Sequence, residues 1–472
     1  MLVTDQLEAE LRAQINEQSA QIALQAKQLS ELIEQITILK EQLAANSSNS
    51  HKPPSSDPPG SSSKKTSKNK AKRKRGAQRG HEGSHRQLLP VCEVDVFVDC
   101  YTPECESCWQ PLEAEIDTKA SRFQVTEIPI AGKHITEYRC HTIRCSCGYS
   151  TRASNSDVPR FAFGPRLCAL VTLLTGVYHL SRRKTVSLLL DMVDVRISLG
   201  SVSAIENRMS EAIEPVVAEA WDKIPDAPVK HTDGTSWLQQ GTLMSLWVIA
   251  TAEVTVYKVL KSATMKAIRG LFTNLKGILV SDRDSSLGFW AMENRQICWA
   301  HLLRKFVSFS ERDGPAGQMG QELLDYALLT FEYWQAFQSG EFLRADFQDK
   351  MKSVSEQFSG LLQRAVNAKI SRFSGSCANI TKHEEALWTF VTMDGVEPTN
   401  NHAERELRDF VLWRKRSFGS QSTRGNQYAE RMMTVVKTAR KQGRDILSLL
   451  IAAIEARCLI CPTKTPSLFI EA

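Results

Sequence analysis

Long apolar runs are absent from this 472-residue sequence, and their absence argues against a helical membrane protein. The amino-terminal residues are polar and acidic, whereas a secretory signal begins with basic residues and continues with an apolar stretch. We therefore expect a soluble, cytoplasmic protein with no membrane partner. Hydrophobic residues make up 42% of the chain, and domains usually contain roughly 100 to 200 residues. The sequence therefore predicts several domains, each with its own core.

Cysteines are few outside one short region, since seven of the twelve lie between Cys92 and Cys147. The cytoplasm is reducing, so this cluster indicates a metal site and not disulfides. Cys105 and Cys108 form one knuckle, and Cys145 and Cys147 form a second, about forty residues later and one residue shorter than usual. Four thiolates on two β-hairpins would hold one structural zinc ion tetrahedrally, as in a zinc ribbon.

The short second knuckle leaves the zinc ligand set open, because Cys140 or His141 could replace one thiolate. Short alternating stretches around Val94 to Val98 and Phe123 to Ile130 predict the hairpins. The alternative is a set of reduced cysteines that only pack. We assign residues 91–155 to a zinc-ribbon-like module.

Acidic residues are missing from the segment that holds much of the basic charge. Nine cations and no acid occur from Lys64 to Arg79, and without them the net charge of +6 would become slightly negative. Residues 46–90 are poor in apolar side chains, so they cannot offset the entropy of an ordered chain. We predict a disordered basic linker that binds DNA phosphates, although a solvated linker without a ligand is the alternative. Its DNA-binding residues would be Lys70, Lys72, Arg73, Lys74, Arg75 and Arg79.

Residues 1–45 show a heptad pattern. Apolar residues recur every seven positions at Ile15, Ile22, Leu29, Ile36 and Leu43. Gln18 and Gln25 interrupt the second apolar register, which weakens a helical seam and fixes its alignment. The pattern predicts a short coiled coil and a homo-oligomer. The alternative is an amphipathic helix that folds onto the body of the protein.

Helical periodicity begins at Gly164. The segments LSRRKTVSLLLDM and SLGSVSAIENRMSEAI predict two consecutive helices, with Ser201 as the N-cap of the second. A short turn between two helices is typical of a helix-turn-helix, but helical pairs are also common as packing units. We assign residues 156–225 to a helical DNA-binding region and expect Arg182 and Arg183 to contact DNA.

The periodicity changes to that of strands after Pro228. Three hairpin-connected strands (VKHTDGTSW, LMSLWVIATAEV and VYKVLKS), a helix (AIRGLFTNL) and two strands (GILVSD and RQICWAH) follow in this order. That is the order of an RNase H-like α/β fold. We expect Asp233 at the end of the first strand and Asp282 at the end of GILVSD, because ligands bind at strand ends in α/β sheets.

A third acid, Glu404, lies in NNHAERELRDFVLWRKRSFGSQSTRG, whose first half predicts a helix. Two aspartates and a glutamate can hold two magnesium or manganese ions about 4 Å apart, because these ions prefer hard oxygen ligands. Singly, each acid has a structural alternative. Asp233 precedes a glycine, as in many turns, and Asp282 could cap a helix that starts near Ser285. Asn401 and Glu404 match a capping box.

The interval between Asp282 and Glu404 is far too long for a single connection. Residues 302–390 show amphipathic helical patterns, so we predict an all-helical insertion within the catalytic core. The fold class is therefore multidomain α+β. The core would comprise residues 226–301 and 391–455, followed by a tail at 456–472.

Several phrases resemble the insertion sequence 66 family of transposases: NSHKPPSSDPP, KRKRGAQRGHEG, the cysteine knuckles, FGPR, ISLGSVS, SDRD, CWAHLLRKF and NNHAERELRDFVLWRKRSFGS. They span nearly the whole chain. The resemblance implies a DDE transposase whose catalytic acids fall on Asp233, Asp282 and Glu404. This sequence departs from the family at Gly234, where an acid is often found, and at Asp284, where an aromatic residue is usual.

The resemblance implies double-stranded DNA as partner, both the terminal inverted repeats and the target, together with accessory proteins of the same element. A nucleoid-associated protein would catalyse strand cleavage and strand transfer. His301 and Trp299 either contact DNA or pack the last strand, and we favour packing. The main alternative function is a catalytically inactive DNA-binding regulator, and a nuclease that cuts without joining is a third. Cations after Glu404 become candidates for DNA contacts: Arg405, Arg408, Arg414, Lys415 and Arg416.

Overall fold

The computed structural model divides the chain into two compact units, Ser62–Ile135 and the combination of Met1–Ser61 with Thr136–Ala472. The described residues are 2–50, 88–100, 103, 107–111, 113, 121–126, 132–147, 149–152, 161–458 and 465–469. Cys105 and most of the basic linker lie outside them. The predicted linker contacts outside the described residues are Lys70, Lys72, Arg73, Lys74, Arg75 and Arg79.

The unit Ser62–Ile135 has little regular structure among its described residues, which include one 3-10 turn at Val91–Glu93. The strand expected at Val94 to Val98 does not form, and the described residues from Phe123 are not in a strand either. Most of the apolar side chains in these stretches are exposed, so no buried face favours a pleated strand. The predicted hairpins of this unit are therefore wrong where the structure describes them.

Helix α1 spans Leu2–Ala44 and confirms the predicted amino-terminal helix. Its heptad residues are exposed, with Ile22 at 65% and Leu29 at 59% of their full accessibility. After the helix, the Asn49 side chain donates a hydrogen bond to the Glu311 carboxylate at 2.7 Å. The described residues thus leave the apolar stripe of α1 accessible.

A small antiparallel hairpin holds the second cysteine knuckle. It consists of β1, Thr142–Arg144, and β2, Ser150–Arg152. The backbone N–H of Cys145 donates to the carbonyl of Tyr149 at 2.7 Å, which closes the loop that contains Cys147. This knuckle lies on a hairpin, as predicted.

Four helices precede the main sheet, and they confirm the predicted helical region. They are α2 Pro165–Gly176, α3 Arg182–Val193, α4 Leu199–Ala212 and α5 Glu214–Lys223. The predicted N-cap of α4 is wrong by one turn, because Ser198 Oγ accepts from the backbone N–H of Ser201 at 3.0 Å. Ser198 is extended and the chain turns helical directly after it, which makes Ser198 the cap.

A five-stranded mixed sheet follows, in the predicted element order. Its elements are β3 Val229–Gln239, β4 Thr242–Ala250, β5 Thr255–Leu260, α6 Met265–Leu271, β6 Ile278–Ser281 and β7 Arg295–Ile297. The spatial order is β5-β4-β3-β6-β7. Strands β3, β4 and β5 pair antiparallel, whereas β3, β6 and β7 pair parallel. A mixed α/β fold is therefore confirmed.

Both faces of the sheet are covered by helices, and β4 shows how. Trp247 and Ile249 enter a core formed with α2–α5 and the last two helices of the chain, while Leu246 and Val248 enter a second core on the other face. Alternate side chains of a strand point to opposite faces, so the near-continuous apolar run in β4 follows from its burial on both sides.

Helices fill the interval between the last strand and the helix of Glu404. They are α7 Trp299–Ser310, α8 Gly314–Gln338, α9 Arg344–Asn367, α10 Phe373–Thr381 and α11 Thr389–Thr392. The segment CWAH begins α7 and does not extend the strand, so that boundary differs from the prediction. Trp299 donates through its ring nitrogen to the carbonyl of Leu387 at 2.8 Å and is fully buried, which fixes the helix start.

Three helices complete the chain: α12 Asn401–Ser417, α13 Thr423–Lys441 and α14 Ile446–Cys458. Helix α12 lays Ala403, Leu407 and Phe410 against β3–β5, which matches its predicted amphipathic pattern. None of the helices in the described ranges is both long and apolar enough to span a membrane.

Candidate active site

Asp233 and Asp282 lie at the same level on neighbouring parallel strands. The last parallel pair of β3 and β6 is His231 with Val280, and each acid lies two residues beyond its member of that pair. Adjacent strands are about 4.8 Å apart, so the two carboxylates project from one edge of the parallel part of the sheet. We expected strand β3 to end at Asp233. It instead continues to Gln239 by pairing with β4 alone.

The Asp233 carboxylate is held by the backbone of the glycine that follows it. The N–H of Gly234 donates to Asp233 Oδ1 at 2.8 Å. A Cβ atom at position 234 would lie 2.9 Å from the Trp247 ring, so a side chain there would require the tryptophan to move. Glycine at position 234, where an acidic residue was expected from the resemblance, therefore suits the close packing against Trp247 of β4. The turn alternative for Asp233 is wrong, because residues 233 and 234 are inside a strand.

Asp282 stands in a tight turn directly after β6. The N–H of Asp284 donates to Asp282 Oδ1 at 3.0 Å. The capping role falls to Asp284, whose carboxylate accepts from the N–H of Ser286 at 2.8 Å. Behind the turn, the buried Arg295 donates to the carbonyl of Asp282 at 3.2 Å. Asp282 is thus oriented by its neighbours while its carboxylate is not used as the helix cap.

Glu404 reaches the two aspartates because the start of α12 is anchored to the sheet. Asn400 donates through its side chain to the carbonyl of Thr232, next to Asp233, at 2.7 Å. Its backbone N–H donates to Cys298 Sγ at 3.2 Å, and its carbonyl accepts from the N–H of Glu404. The N-cap is Asn400 and makes no side-chain cap bond, so the capping-box alternative is wrong.

The three acids influence one another electrostatically. Burial, together with the charge of Asp282 and a smaller contribution from Glu404, raises the pKa of Asp233 to about 7, and the hydrogen bond from Gly234 opposes this rise. Burial also raises the pKa of Glu404, opposed by Arg304 and assisted by Asp282. The charges of Asp282 and Glu404 act on Asp233, and that of Asp282 acts on Glu404, so the fold places the acids of β3, of the turn after β6 and of α12 near one another.

The cluster has an acceptor that the described residues leave unsatisfied. Glu404 Oε1 is buried and has no hydrogen-bond partner among them, while His301 Nδ1 and Arg304 Nη2 lie at 3.6 and 3.9 Å. Carboxylates with raised pKa values and an unused buried oxygen are the donor set that a divalent cation satisfies. The residues present therefore fit a magnesium-type ion.

Cys298 and His301 form a second, softer donor set beside Glu404. One ligand atom of each of these three residues lies within 4.8 Å of the others. Burial raises the pKa of the Cys298 thiol to about 11, so it is protonated unless a metal binds it. We did not predict the position of His301 beside an acid, although the Cys-x-x-His spacing of CWAH was a usable signal.

A network of charged residues locks α12 against α13. Lys437 contacts the carboxylates of Glu406 at 3.4 Å and Asp409 at 2.7 Å. Lys441 lies 3.5 Å from Glu406 and donates to the carbonyl of Thr251 at 2.6 Å. Partners so far apart in sequence show no local pattern, so the network could not be predicted. It holds the helix that positions Glu404.

The cations proposed for DNA contacts differ in their surroundings. Arg405, Arg408 and Arg416 are exposed on α12. Arg414 instead turns toward β3, where it donates to Thr235 Oγ1 at 3.1 Å and to Ser236. Arg414 therefore ties the end of α12 to the sheet.

Two further predicted DNA contacts, Arg182 and Arg183, lie at the start of α3. Arg182 donates to the Glu206 carboxylate through Nε at 2.9 Å, whereas Arg183 is exposed. Lys415 on α12 is exposed as well. The structure thus presents Arg182, Arg183 and Lys415 at the surface, and Arg182 also pairs with Glu206.

The zinc prediction stays a prediction. Cys145 and Cys147 are exposed at the hairpin, and hydrogen bonds from Cys147 and Ser146 lower the pKa of the Cys145 thiol. A lowered thiol pKa favours the thiolate that binds metal. Cys108 is exposed and belongs to the unit Ser62–Ile135, and Cys105 lies outside the described residues.

Comparison with known families gives two matches. A model described as the transposase IS66 family matches residues 160–428, which is more than half of the chain and includes all three acids. A family of unknown function, DUF6444, matches residues 3–87. No curated protein matches the sequence.

Proposed function

Because the chain belongs to the IS66 family of transposases, we propose that it is a DDE enzyme that cleaves DNA at the terminal inverted repeats of its element and transfers the strands to a target. Asp233, Asp282 and Glu404 would be the catalytic acids. The observation that supports this proposal is their convergence at one sheet edge. There the charges of Asp282 and Glu404 raise the pKa of Asp233, and the charge of Asp282 raises the pKa of Glu404.

The strand order and the position of the acids support an RNase H-like core. Helices α7–α11 would form the all-helical insertion, which separates Glu404 from Asp282 in sequence but not in space. We retain the proposed boundaries of residues 226–301 and 391–455 for the core, 302–390 for the insertion, and 456–472 for the tail. Trp299 and Leu302 pack within the insertion core, so the insertion begins close to the end of β7.

We propose that Asp233, Asp282 and Glu404 hold two magnesium or manganese ions. Bound there, the ions would activate the attacking water or 3′-hydroxyl and stabilise the leaving oxygen. The protein's part is orientation: Gly234 fixes the Asp233 carboxylate, and Asn400 fixes the start of α12 against the sheet. Pre-oriented ligands reduce the reorganisation that catalysis requires.

An exposed face of α12 is proposed as a DNA track. A helix rotates by about 100° per residue, so four cations that follow Glu404 in the sequence lie within about a third of the helix circumference, on the side next to Glu404. We call these residues the cationic stripe: Arg405, Arg408, Lys415 and Arg416. Phosphate contacts along the stripe would orient the duplex relative to the acids without reading its sequence.

Amino-terminal modules would contribute further binding. The exposed heptads of α1 support self-association, and the basic linker would bind DNA phosphates. The two helices α3 and α4 have the connectivity of a helix-turn-helix, and the cysteine knuckles would hold one zinc ion. We also propose accessory proteins of the same element as partners and a location at the nucleoid, where the DNA substrate is found.

The decisive experiment replaces one acid without changing its size. Asp282→Asn removes a ligand charge, and we expect loss of magnesium-dependent nicking of a duplex that carries the terminal repeat. Asp284→Asn is the matched control, because asparagine can still cap the following turn and position 284 is exposed. Retained cleavage by Asp282→Asn would refute the assignment.

A DNA-binding regulator without catalysis predicts a different result. The intact protein would then bind the terminal repeat but show no metal-dependent nicking. A nuclease would nick the repeat but would never join its 3′ end to target DNA. Strand-transfer products formed by the intact protein and absent with Asp282→Asn support the transposase and exclude both alternatives.

A further inference from the structure

The residue directly after α12 is an exposed phenylalanine in an unusual conformation. Phe418 has φ 57° and ψ 27°, which is the left-handed region, and 73% of its surface is accessible. Left-handed residues at helix ends are usually glycine or asparagine, and a bulky side chain there is an outlier. An exposed apolar ring gains nothing from burial, so neither local conformation nor core packing explains phenylalanine at this position.

The surrounding chain fixes this conformation. The N–H of Phe418 donates to the carbonyl of Arg414 at 2.8 Å, which closes the helix end. At the next position, Gly419 has φ 92°, and a Cβ there would lie 2.0 Å from the carbonyl oxygen of Leu238. The N–H of Ser420 donates to that same carbonyl at 2.9 Å. The ring is therefore presented from a segment that is pinned to the end of β3.

The cationic stripe lies between the proposed active site and this ring. The cationic stripe follows α12 from Glu404 to its last turn, which contains Lys415 and Arg416. Glu404 and Phe418 are fourteen positions apart, or about 21 Å at 1.5 Å per residue. Base pairs are stacked about 3.4 Å apart, so this length corresponds to about six base pairs. A duplex bound along the stripe would bring a base step next to the ring.

We propose that Phe418 stacks on a nucleobase of this DNA and opens one base step about six base pairs from the phosphate at the acids. The inference rests on the proposed function and adds a specific contact to it. Every base offers an aromatic face, and apolar side chains inserted between bases unstack them and bend the duplex. Leu412, which is 47% exposed, adds an apolar side chain on the same helix, but the four cations of the stripe favour a polyanion as the partner.

The test uses duplexes that carry the terminal repeat, with 2-aminopurine placed singly at successive positions from the cleaved phosphate. Binding of the full chain should raise the fluorescence most at about six base pairs. Phe418→Asn suits the left-handed conformation and removes the ring, so we expect the signal to vanish and affinity to fall about tenfold. Phe418→Trp should keep the signal. Leu328→Asn, another exposed apolar position, should behave as the unchanged protein.

Thermal unfolding separates stacking from a structural role. Phe418→Asn should unfold at an unchanged or higher temperature, because it relieves an unfavourable backbone conformation. A lower unfolding temperature together with weaker DNA binding would assign the ring to packing and overturn the proposal. Unchanged affinity and signal with Phe418→Asn would overturn it too, as would weakened self-association with intact DNA binding.

The proposed function fails differently. If the unaltered protein does not bind the repeat or nick it, the transposase assignment is at fault. If it binds and nicks but shows no position-dependent fluorescence, only the stacking contact is refuted. Asp282→Asn should cleave nothing and yet retain the fluorescence signal, since stacking does not need the carboxylate.

Discussion

The three acids and the cysteine region at residues 88–152 hold their proposed metal ligands in opposite ways. Asp233 lies on a strand, Asp282 directly follows one and Glu404 lies on a helix, and the apolar side chains of these elements are buried against the sheet and its covering helices. The described thiols of the knuckles are exposed and lie in turns or loops. The acids are thus oriented by tertiary packing, whereas local structure orients the thiols.

This difference teaches which site needs its ion in order to fold. A core with abundant buried apolar surface can bury acids beside one another, and the pKa values of Asp233 and Glu404 are raised first by this burial and then by the neighbouring carboxylates. A small segment with exposed apolar residues cannot do so, and zinc binding would then supply part of its folding free energy. We therefore expect the ions at the acids to act in catalysis and the zinc ion in the cysteine region to act in folding.

The largest expected effect breaks the acid cluster itself. Glu404→Gln keeps size and removes the charge, so we expect cleavage to fall by about three orders of magnitude, which is roughly 4 kcal/mol of transition-state stabilisation. Without metal, the same change should raise the unfolding temperature, because one buried charge is gone. Rates on a pre-assembled repeat complex and metal-free melting curves check both. Glu397→Gln, in the loop before α12, is the control. A loss of stability with Glu404→Gln would contradict an imposed cluster.

The next effect is the pH dependence of stability without metal. The pKa of Asp233 is about 7 in the folded chain, against an ordinary value of 3.8, so the folded state holds an extra proton between these values. The unfolding free energy should therefore fall as pH rises from about 4 to about 7, by up to about 1.4 kcal/mol per pH unit. Magnesium should flatten this slope, since it favours the ionised form. Asp233→Asn should also flatten it, and a slope that persists in this variant would assign the proton elsewhere.

A smaller effect tests how the fold orients the third acid. Asn400→Ala removes the bond to the carbonyl of Thr232 and leaves that buried acceptor unsatisfied, at a cost of about 1 to 3 kcal/mol. Glu404 would lose its fixed position, so we expect cleavage to fall about tenfold to a hundredfold. Asn401→Ala, at the exposed neighbouring position, should change little. A higher magnesium requirement in Asn400→Ala but not in Asn401→Ala would distinguish misplaced ligands from lost stability alone.

Strand order in the core could be predicted because periodicity, turn residues and apolar runs agree there. VKHTDGTSW and GILVSD formed strands as expected, and the helix that carries Glu404 formed as well. Asp282 directly follows its strand, as predicted, whereas β3 continues beyond Asp233. The exact position of Asp233 within its strand could not be predicted. That position depends on where parallel pairing with β6 stops, which is a property of two strands and not of one.

Residues that support the acids escaped prediction for the same reason. Asn400 acts on Thr232 across 168 residues, and His301 and Arg304 act on Glu404 across about a hundred, and no local pattern marks such contacts. Arg414 was predicted to contact DNA because it is a cation, but its guanidinium donates to β3 and ties the end of α12 to that strand. Local propensity therefore predicts helices and strands well. The pairing of two strands at a sheet edge and polar contacts between distant residues can be seen only in the folded structure.

The smallest expected effect on the core comes from the cysteine region. Cys145→Ser removes a proposed zinc ligand, and we expect loss of about one bound zinc per chain and faster hydrogen exchange within residues 132–152. The unfolding temperature of the core should stay within about 1 °C, because its helices and sheet pack without these thiols. Cys92→Ser, also exposed but outside the knuckles, should keep the zinc. Zinc retained after Cys145→Ser would shift the ligand to Cys140 or His141, whereas a destabilised core would show that the two regions do not differ as described.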